Sequence, residues 1–195
     1  MTARFLLSAG EGVGLGHLSR CRGLGDALRL WGITSRLQVR GLIGRDVAGD
    51  SCDFTDWLGA LRSDSEAWIA DLHRASLIVA DSYELAPRDV DRLGELFGFG
   101  RIAFFDDGQD THQFPDESIR IRPATDFQGS SSARELLGPA FYCLRKQFWG
   151  ANWTPPETRT VHVSLGGAPS ADLIEAVSAA ITAVGARPRL VIDDG

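Results

Sequence analysis

A run of alternating glycines that ends in a histidine carries the strongest chemical signal in the chain. Residues 12–17 read GVGLGH and follow a short apolar run. Glycine at every second position suits neither a helix nor a strand, so the sequence predicts a loop that lets a ligand approach the backbone closely. The spacing does not match the dinucleotide fingerprint G-x-G-x-x-G, which would require glycine at position 17. No Lys-Ser or Lys-Thr pair follows, which argues against an ATP-binding loop, and we predict no cofactor.

His17 is the residue of this segment that could act in catalysis. It stands at the start of a predicted helix, where the positive end of the helix dipole favours the neutral imidazole over the cation. A neutral imidazole can accept a proton, so we predict that His17 is a general base and that Gly14 and Gly16 leave room for substrate. The alternative is that His17 only caps the helix. Arg20, one turn further on, could bind a substrate phosphate or carboxylate, with a solvated side chain as the alternative.

Carboxylates follow two further apolar runs. Asp81 ends one run and precedes Tyr83 by two residues, and Asp106 and Asp107 end another. The carboxyl ends of parallel strands line the ligand crevice of doubly wound folds. We therefore expect these four side chains to converge with the glycine loop and to bind substrate, although each Asp alone could be a turn former.

Alternation of short apolar runs with helical spacing predicts an α/β fold. Before residue 150 the predicted elements are strands at 4–8, 33–40, 76–80, 101–105 and 118–122, and helices at 17–31, 66–73 and 87–97. Such βαβ units imply a Rossmann-like, doubly wound parallel sheet over residues 1–149. Two consecutive prolines predict a linker at 150–158. Residues 159–195 then predict the beginning of a second Rossmann-like αβ domain, with a strand at 159–165, a helix at 170–184 and a strand at 187–192.

Residues on either side of the predicted linker supply further candidates. Tyr142, Arg145 and Phe148 precede it and could line a cleft between the two domains, where Arg145 would bind substrate. Gly166 and Gly167 form a second glycine turn between a strand and a helix, and this geometry suits phosphate groups.

The remaining histidines and the cysteines give weaker signals. We expect His73 on the surface and His162 in a structural role, while His112 could face the crevice. Cys21 falls on the apolar face of the first helix and is expected in the core. The three cysteines show neither disulfide nor zinc-ligand spacing, so we predict reduced thiols and no metal site.

Composition bounds the partners and the compartment. The chain has 195 residues, of which 20 are basic and 26 acidic, and its net charge is −6. This acidic balance argues against nucleic acid as a partner, because a polyanion requires clustered positive charge. Lys146 is the only lysine, which argues against Schiff-base chemistry. With no signal-peptide pattern and no run near the ~18 apolar residues of a membrane span, we predict a cytoplasmic protein without a membrane partner.

Five motifs occur in one order between about residues 4 and 181. They are GLGHLSRC at 14–21, DSY at 81–83, DD at 106–107 with His112 after it, LLGP at 136–139 with LR at 144–145 and Phe148, and SLGG at 164–167. In this order they resemble the UDP-2,4-diacetamido-2,4,6-trideoxy-β-L-altropyranose hydrolases of pseudaminic acid biosynthesis, together with related spore-coat polysaccharide proteins. Where that family often has Gly-Gly-Ser-Asp, this chain has GGAP at 166–169.

The resemblance implies a GT-B-like pair of Rossmann-like domains with the active site between them. It implies hydrolysis of a UDP-sugar at its anomeric carbon, which releases UDP, with His17 as the base that activates water. It also implies that the family's second domain extends beyond residue 195 and carries most of the nucleotide-binding site. Two other functions stay open from the sequence, namely a non-catalytic nucleotide-sugar-binding protein and a glycosyltransferase relative that uses an acceptor other than water.

Overall fold

The computed structural model describes eight stretches of the chain. They are residues 1–10, 12–41, 52–107, 114–123, 134–149, 160–163, 170–185 and 187–190. The predicted linker at 150–158, the predicted glycine turn at 166–169 and His112 lie outside the described residues.

Seven strands of the described chain form one sheet in which every neighbouring pair is parallel. They are β1 Thr2–Ser8, β2 Thr34–Arg40, β3 Cys52–Phe54, β4 Leu77–Asp81, β5 Ile102–Phe105, β6 Ile119–Arg122 and β7 Glu135–Leu137. Their order across the sheet is β3-β2-β1-β4-β5-β6-β7. The chain runs outward from β1 to β3, returns to the other side of β1 at β4, and then runs outward again. This is the order of a Rossmann-like, doubly wound fold, and the predicted fold class is confirmed.

Helices of the described chain occupy the crossovers between these strands. They are α1 Gly16–Leu30, α2 Trp57–Arg62, α3 Glu66–Leu72 and α4 Pro87–Phe97. Parallel neighbours require such crossovers, because a tight turn joins only antiparallel strands. Pro87 begins α4 at the first helical position, where its missing N–H leaves no helical hydrogen bond unmade. None of the described helices is long and apolar enough to cross a membrane.

The central strand β1 buries side chains on both faces of the sheet. Phe5 and Leu7 pack on the face covered by α1, together with Leu18 and Cys21, and the core position predicted for Cys21 is confirmed. Leu6 packs on the opposite face, in a cluster built with α2, α3 and α4. Burial of each such side chain stabilises the fold by roughly 1.5–3 kcal/mol. The two apolar layers hold the sheet between helices and thereby fix the ends of its strands.

Three short elements of the structure were not predicted, because the hydrophobic pattern of the sequence does not reveal them. The helix α2 has six residues, and the edge strands β3 and β7 have three each. Each is shorter than the window in which hydrophobic periodicity can be recognised. The longer predicted elements are found close to their expected bounds, and the helix predicted at 87–97 coincides with α4.

Beyond residue 159 the described residues form a smaller αβ unit. The strands β8 Thr160–Val163 and β9 Arg187–Leu190 pair in parallel, and α5 Ala171–Ala183 lies between them in sequence. Ser170 caps α5 by accepting a hydrogen bond from the backbone N–H of Leu173 at 3.3 Å. Within the described residues these elements agree with the strand, helix and strand predicted there, and His162 belongs to β8 as expected.

Candidate functional site

The candidate site lies at the carboxyl edge of the sheet, between β1 and β4. These strands are neighbours, but β1 leads to β2 on one side and β4 leads to β5 on the other. Such a switch in direction leaves a crevice beyond the strand ends, and doubly wound folds bind ligands there. The glycine loop follows β1 and Asp81 ends β4, so both predicted features border this crevice.

The glycine loop adopts a conformation that requires glycine. Gly10, Gly12 and Gly14 have φ angles of 124°, 78° and 80°, in a region that residues with a Cβ atom rarely adopt. The backbone N–H of Gly14 donates to the carbonyl of Gly10 at 2.7 Å, and the N–H of Gly10 donates back at 3.2 Å. The loop then leads into α1 at Gly16, where no side chain of the described residues caps the helix. The N–H groups of the first turn are therefore left for a ligand or water.

His17 is buried in the first turn of α1, and one of its ring nitrogens has no partner in the described part of the chain. Its side chain is 3% exposed, and Nδ1 is hydrogen-bonded to Oδ1 of Asp81. Nε2 has no hydrogen-bond partner among the residues that the structure describes. Buried polar atoms in proteins are nearly always hydrogen-bonded, so Nε2 is placed to bind a ligand or water.

Asp81 decides which nitrogen of His17 carries the proton. The carboxylate is buried and also accepts hydrogen bonds from Nε and Nη2 of Arg20, both at 2.6 Å. Burial alone would raise the pKa of Asp81, but hydrogen bonds from Arg20 and His17 outweigh burial and hold the pKa below its ordinary value. An ionised carboxylate can only accept. Nδ1 of His17 therefore carries a proton for this bond, and in the neutral imidazole the lone pair lies on Nε2.

Arg20 joins two carboxylates that come from different strands. Besides Asp81, it donates from Nη1 to Oδ1 of Asp107 at 2.6 Å and from Nη2 to Oδ2 at 2.9 Å. The guanidinium also lies over the ring of Phe105, with Cζ 4.7 Å from the ring centroid, a cation–π contact. Burial alone would lower the pKa of Arg20, but its hydrogen bonds to the two carboxylates raise it further above the ordinary range, so the side chain stays charged.

Tyr83 completes the group by linking Asp107 to the imidazole. Its hydroxyl donates to Oδ2 of Asp107 at 2.7 Å, and its ring meets that of His17 edge to face at 4.5 Å between centroids. The hydrogen bond to Asp107 raises the pKa of Tyr83. Burial favours a higher pKa for Asp107, but the bonds from Arg20 and Tyr83 outweigh burial and lower it. Asp107 therefore remains an ionised carboxylate at the crevice.

A cavity of about 320 Å³ adjoins these side chains. Its lining within the described chain is Val13, Gly16, His17, Arg20, Tyr83, Phe105, Asp107, Pro123, Tyr142 and Cys143. With His17 neutral, one arginine and two aspartates give the buried group a net charge of −1. Among the described residues, no cluster of three His, Cys, Asp or Glu side chains could hold a metal ion.

The structure brings most of the predicted site residues together and places two elsewhere. Asp81 is hydrogen-bonded to His17 but is not among the described lining residues. Gly14 belongs to the glycine loop beside the cavity. Asp106 is not among the described lining residues, and its Oδ2 lies 3.2 Å from Nε of Arg122. Arg145 is exposed and does not belong to the described lining.

The structure places some of the other predicted residues and does not describe the rest. Tyr142 lines the cavity, and His73 is exposed as expected. Gly166, Gly167 and the side chain of Phe148 lie outside the described residues. Their proposed contacts with substrate remain predictions.

Sequence reasoning did not identify four of the lining residues. Phe105 ends β5 and Pro123 follows β6, so an examination of every strand end at this edge would have found both. Cys143 carried no signal in the sequence, and burial raises the pKa of its thiol to about 11, which keeps it protonated at neutral pH. Val13 belongs to the glycine loop itself.

Neither the comparison with protein-family models nor the comparison with curated proteins finds a match for this chain.

Proposed function

We propose that the protein hydrolyses a UDP-linked 2,4-diacetamido-2,4,6-trideoxy sugar at the anomeric carbon and releases UDP. The observation that carries this proposal is that His17 lines the cavity while its buried Nε2 has no hydrogen-bond partner among the described residues. A base that already had a protein partner would have to break that bond before it could accept a proton. The five ordered motifs of the sequence supply the class of substrate.

In the proposed reaction His17 removes a proton from water. The water oxygen forms a bond to the anomeric carbon as the bond from that carbon to the diphosphate oxygen breaks. The proton passes to Nε2 and later to solvent, and Asp81 stabilises the imidazolium through Nδ1. UDP leaves as a stabilised anion, so no acid is required to protonate it, in contrast to ordinary glycosides.

The cavity wall suits an uncharged pyranose that carries acetamido groups. Its volume of about 320 Å³ falls in the range of small-molecule sites. Tyr83, Phe105 and Tyr142 offer aromatic surface for the apolar side of the sugar, and Asp107 offers a carboxylate that can accept hydrogen bonds from it.

The diphosphate requires a different part of the crevice. The buried side-chain group carries a net negative charge, which repels phosphate. The first turn of α1 offers backbone N–H groups, and the predicted glycine turn at 166–169 would offer more. We place the reaction in the cytoplasm, where a reducing environment keeps cysteines such as Cys21 and Cys143 as thiols.

Turnover of the UDP-sugar in water labelled with ¹⁸O tests this proposal. The expected products are UDP and the free sugar, with no ¹⁸O in UDP by ³¹P NMR, because water attacks carbon and the diphosphate keeps its oxygen. Label in the β-phosphate would contradict attack at the anomeric carbon. Binding of UDP-sugar by calorimetry without turnover would indicate a binding protein. Transfer to an added sugar acceptor in preference to water would indicate a glycosyltransferase.

A further inference from the structure

The Arg20 guanidinium is already engaged by protein carboxylates. It makes four charged hydrogen bonds, two to Asp81 and two to Asp107, at 2.6 to 2.9 Å. Both contacts are bidentate, which is the strongest arrangement for an arginine and a carboxylate. The face of the guanidinium is covered by Phe105. Four of the five N–H groups of Arg20 are therefore engaged by protein carboxylates, and only the second N–H of Nη1 is left for a substrate phosphate.

We infer that Arg20 is a positioning residue that fixes Asp81 against His17 and keeps the imidazole proton on Nδ1, and that it does not bind the substrate's phosphate groups. The two contacts with Asp81 lock the carboxylate so that Oδ1 meets Nδ1. The two hydrogen bonds to Asp107 hold the opposite side of the guanidinium. They keep its plane in the orientation in which it can bind both oxygens of Asp81. The inference rests on the proposed function only for its kinetic test.

The charges around His17 indicate how removal of Arg20 should change the balance between the neutral and the protonated imidazole. Asp81 favours the imidazolium, while Arg20 opposes it, since Nη2 lies 3.2 Å from Nδ1. Asp107 favours the imidazolium from the far side of Arg20. Tyr83 and Cys143 face the cavity with uncharged groups, because the pKa of each is raised. Removal of Arg20 therefore leaves two carboxylates near the ring with no cation between them, which stabilises the protonated imidazole.

Imidazole ¹⁵N NMR of the free protein tests the inference without any substrate. The His17 signals are assigned by their loss in His17→Asn. In the wild type at neutral pH, we expect a proton on Nδ1 and a bare Nε2. In Arg20→Met, we expect the ¹⁵N signals of His17 at neutral pH to move towards those of an imidazole with a proton on both nitrogens. The matched control is Arg29→Met, on the same helix in an exposed ion pair with Asp26, and it should leave the His17 signals unchanged.

Two NMR outcomes overturn the inference. One is a proton on Nε2 and none on Nδ1 in the wild type, and the other is a set of His17 ¹⁵N signals in Arg20→Met that coincides with the wild type. If Arg20→Met does not fold, as judged by circular dichroism, Arg20→Lys replaces it. Lysine keeps the charge but cannot bind two carboxylates bidentately, so an intermediate change in the His17 ¹⁵N signals is expected.

Kinetics with the UDP-sugar separate positioning from phosphate binding. Arg20→Lys should lower kcat by about tenfold or more with KM changed by less than about threefold. A phosphate ligand would instead raise KM and weaken binding of UDP alone, and that result overturns the inference. If the wild type does not turn over the UDP-sugar, the proposed function fails while the NMR test still decides the role of Arg20.

Discussion

Replacing Asp81 with Asn removes one charge from the site and keeps the shape of the side chain. The two carboxylate oxygens accept from four donors, namely Nδ1 of His17, Nε and Nη2 of Arg20 and Sγ of Cys21. An amide has one oxygen and one NH₂ group. Whichever way it turns, the NH₂ meets an N–H of Arg20 at about 2.6 Å, so a donor faces a donor.

The size of the effect follows from these contacts. Breaking a buried ion pair costs about 3–5 kcal/mol, because the remaining charge is left without compensation. Arg20 keeps Asp107 and is 20% exposed, so we expect the lower end. Asp81→Asn should therefore reduce the free energy of unfolding by about 3 kcal/mol. The matched control is Asp26→Asn, which removes the same charge from an exposed pair with Arg29 and should cost about 0.5 kcal/mol.

Urea denaturation followed by fluorescence of the buried Trp57 and Trp68 measures both variants. The pKa of Asp81 is lowered in the folded chain, so its contribution is present above the unfolded value of about 4 and is lost as pH falls through the folded pKa. The difference between wild type and Asp81→Asn should thus narrow below about pH 4. Equal losses for Asp81→Asn and Asp26→Asn at neutral pH would refute this reasoning.

A glycine, a tyrosine and a second carboxylate give further predictions. Gly23→Ala places a methyl group 2.6 Å from the backbone oxygen of Cys143, so urea denaturation should show a loss of about 1–3 kcal/mol despite the helix propensity of alanine. Tyr83→Phe keeps the ring beside the imidazole but removes a charged hydrogen bond, and kcat/KM for UDP release should fall by about tenfold. The hydrogen bond from Arg62 lowers the pKa of Asp89, so the urea midpoints of wild type and Asp89→Asn should differ above about pH 4 and converge below it.

Matched control variants distinguish the expected effects of Gly23→Ala and Asp89→Asn from the effect of a similar substitution at an open or exposed position. In Gly100→Ala the added methyl group would meet no atom of the described residues within 4 Å beyond its chain neighbours, so stability should hardly change. A loss of stability equal to that of Gly23→Ala would contradict the steric argument. Asp91→Asn alters an exposed carboxylate of α4, and its urea midpoint at neutral pH should lie close to that of the wild type. An unchanged kcat/KM in Tyr83→Phe would contradict a contribution of the Tyr83 hydroxyl to the reaction.

The sequence predicts the central parts of the fold because their signals are local. The six successive buried residues of β1 and the proline at the start of α4 can be recognised from a few neighbouring positions. The edge strand β3 has only three residues, of which two are partly buried and one is exposed, and its place in the sheet depends on pairing with β2. No local pattern carries that information.

The candidate site is predictable in its location but not in its internal contacts. The rule for strand ends places His17 and Asp81 in one crevice, and the structure agrees. It does not distinguish Asp106 from Asp107, because adjacent residues point to opposite sides and the sequence does not fix which side faces the cavity. The partners of Arg20 lie 61 and 87 residues away along the chain. Its engagement by two carboxylates follows from their arrangement in space.

The rate of UDP release by His17→Asn, compared with His73→Asn, tests the central claim most directly. His73 is an exposed histidine at the end of α3, so its replacement controls for the loss of an imidazole. We predict that His17→Asn lowers kcat by about 10²–10⁴-fold while His73→Asn retains the wild-type rate. Equal rates in the two variants, with both folded, would contradict the assignment of His17 as the base.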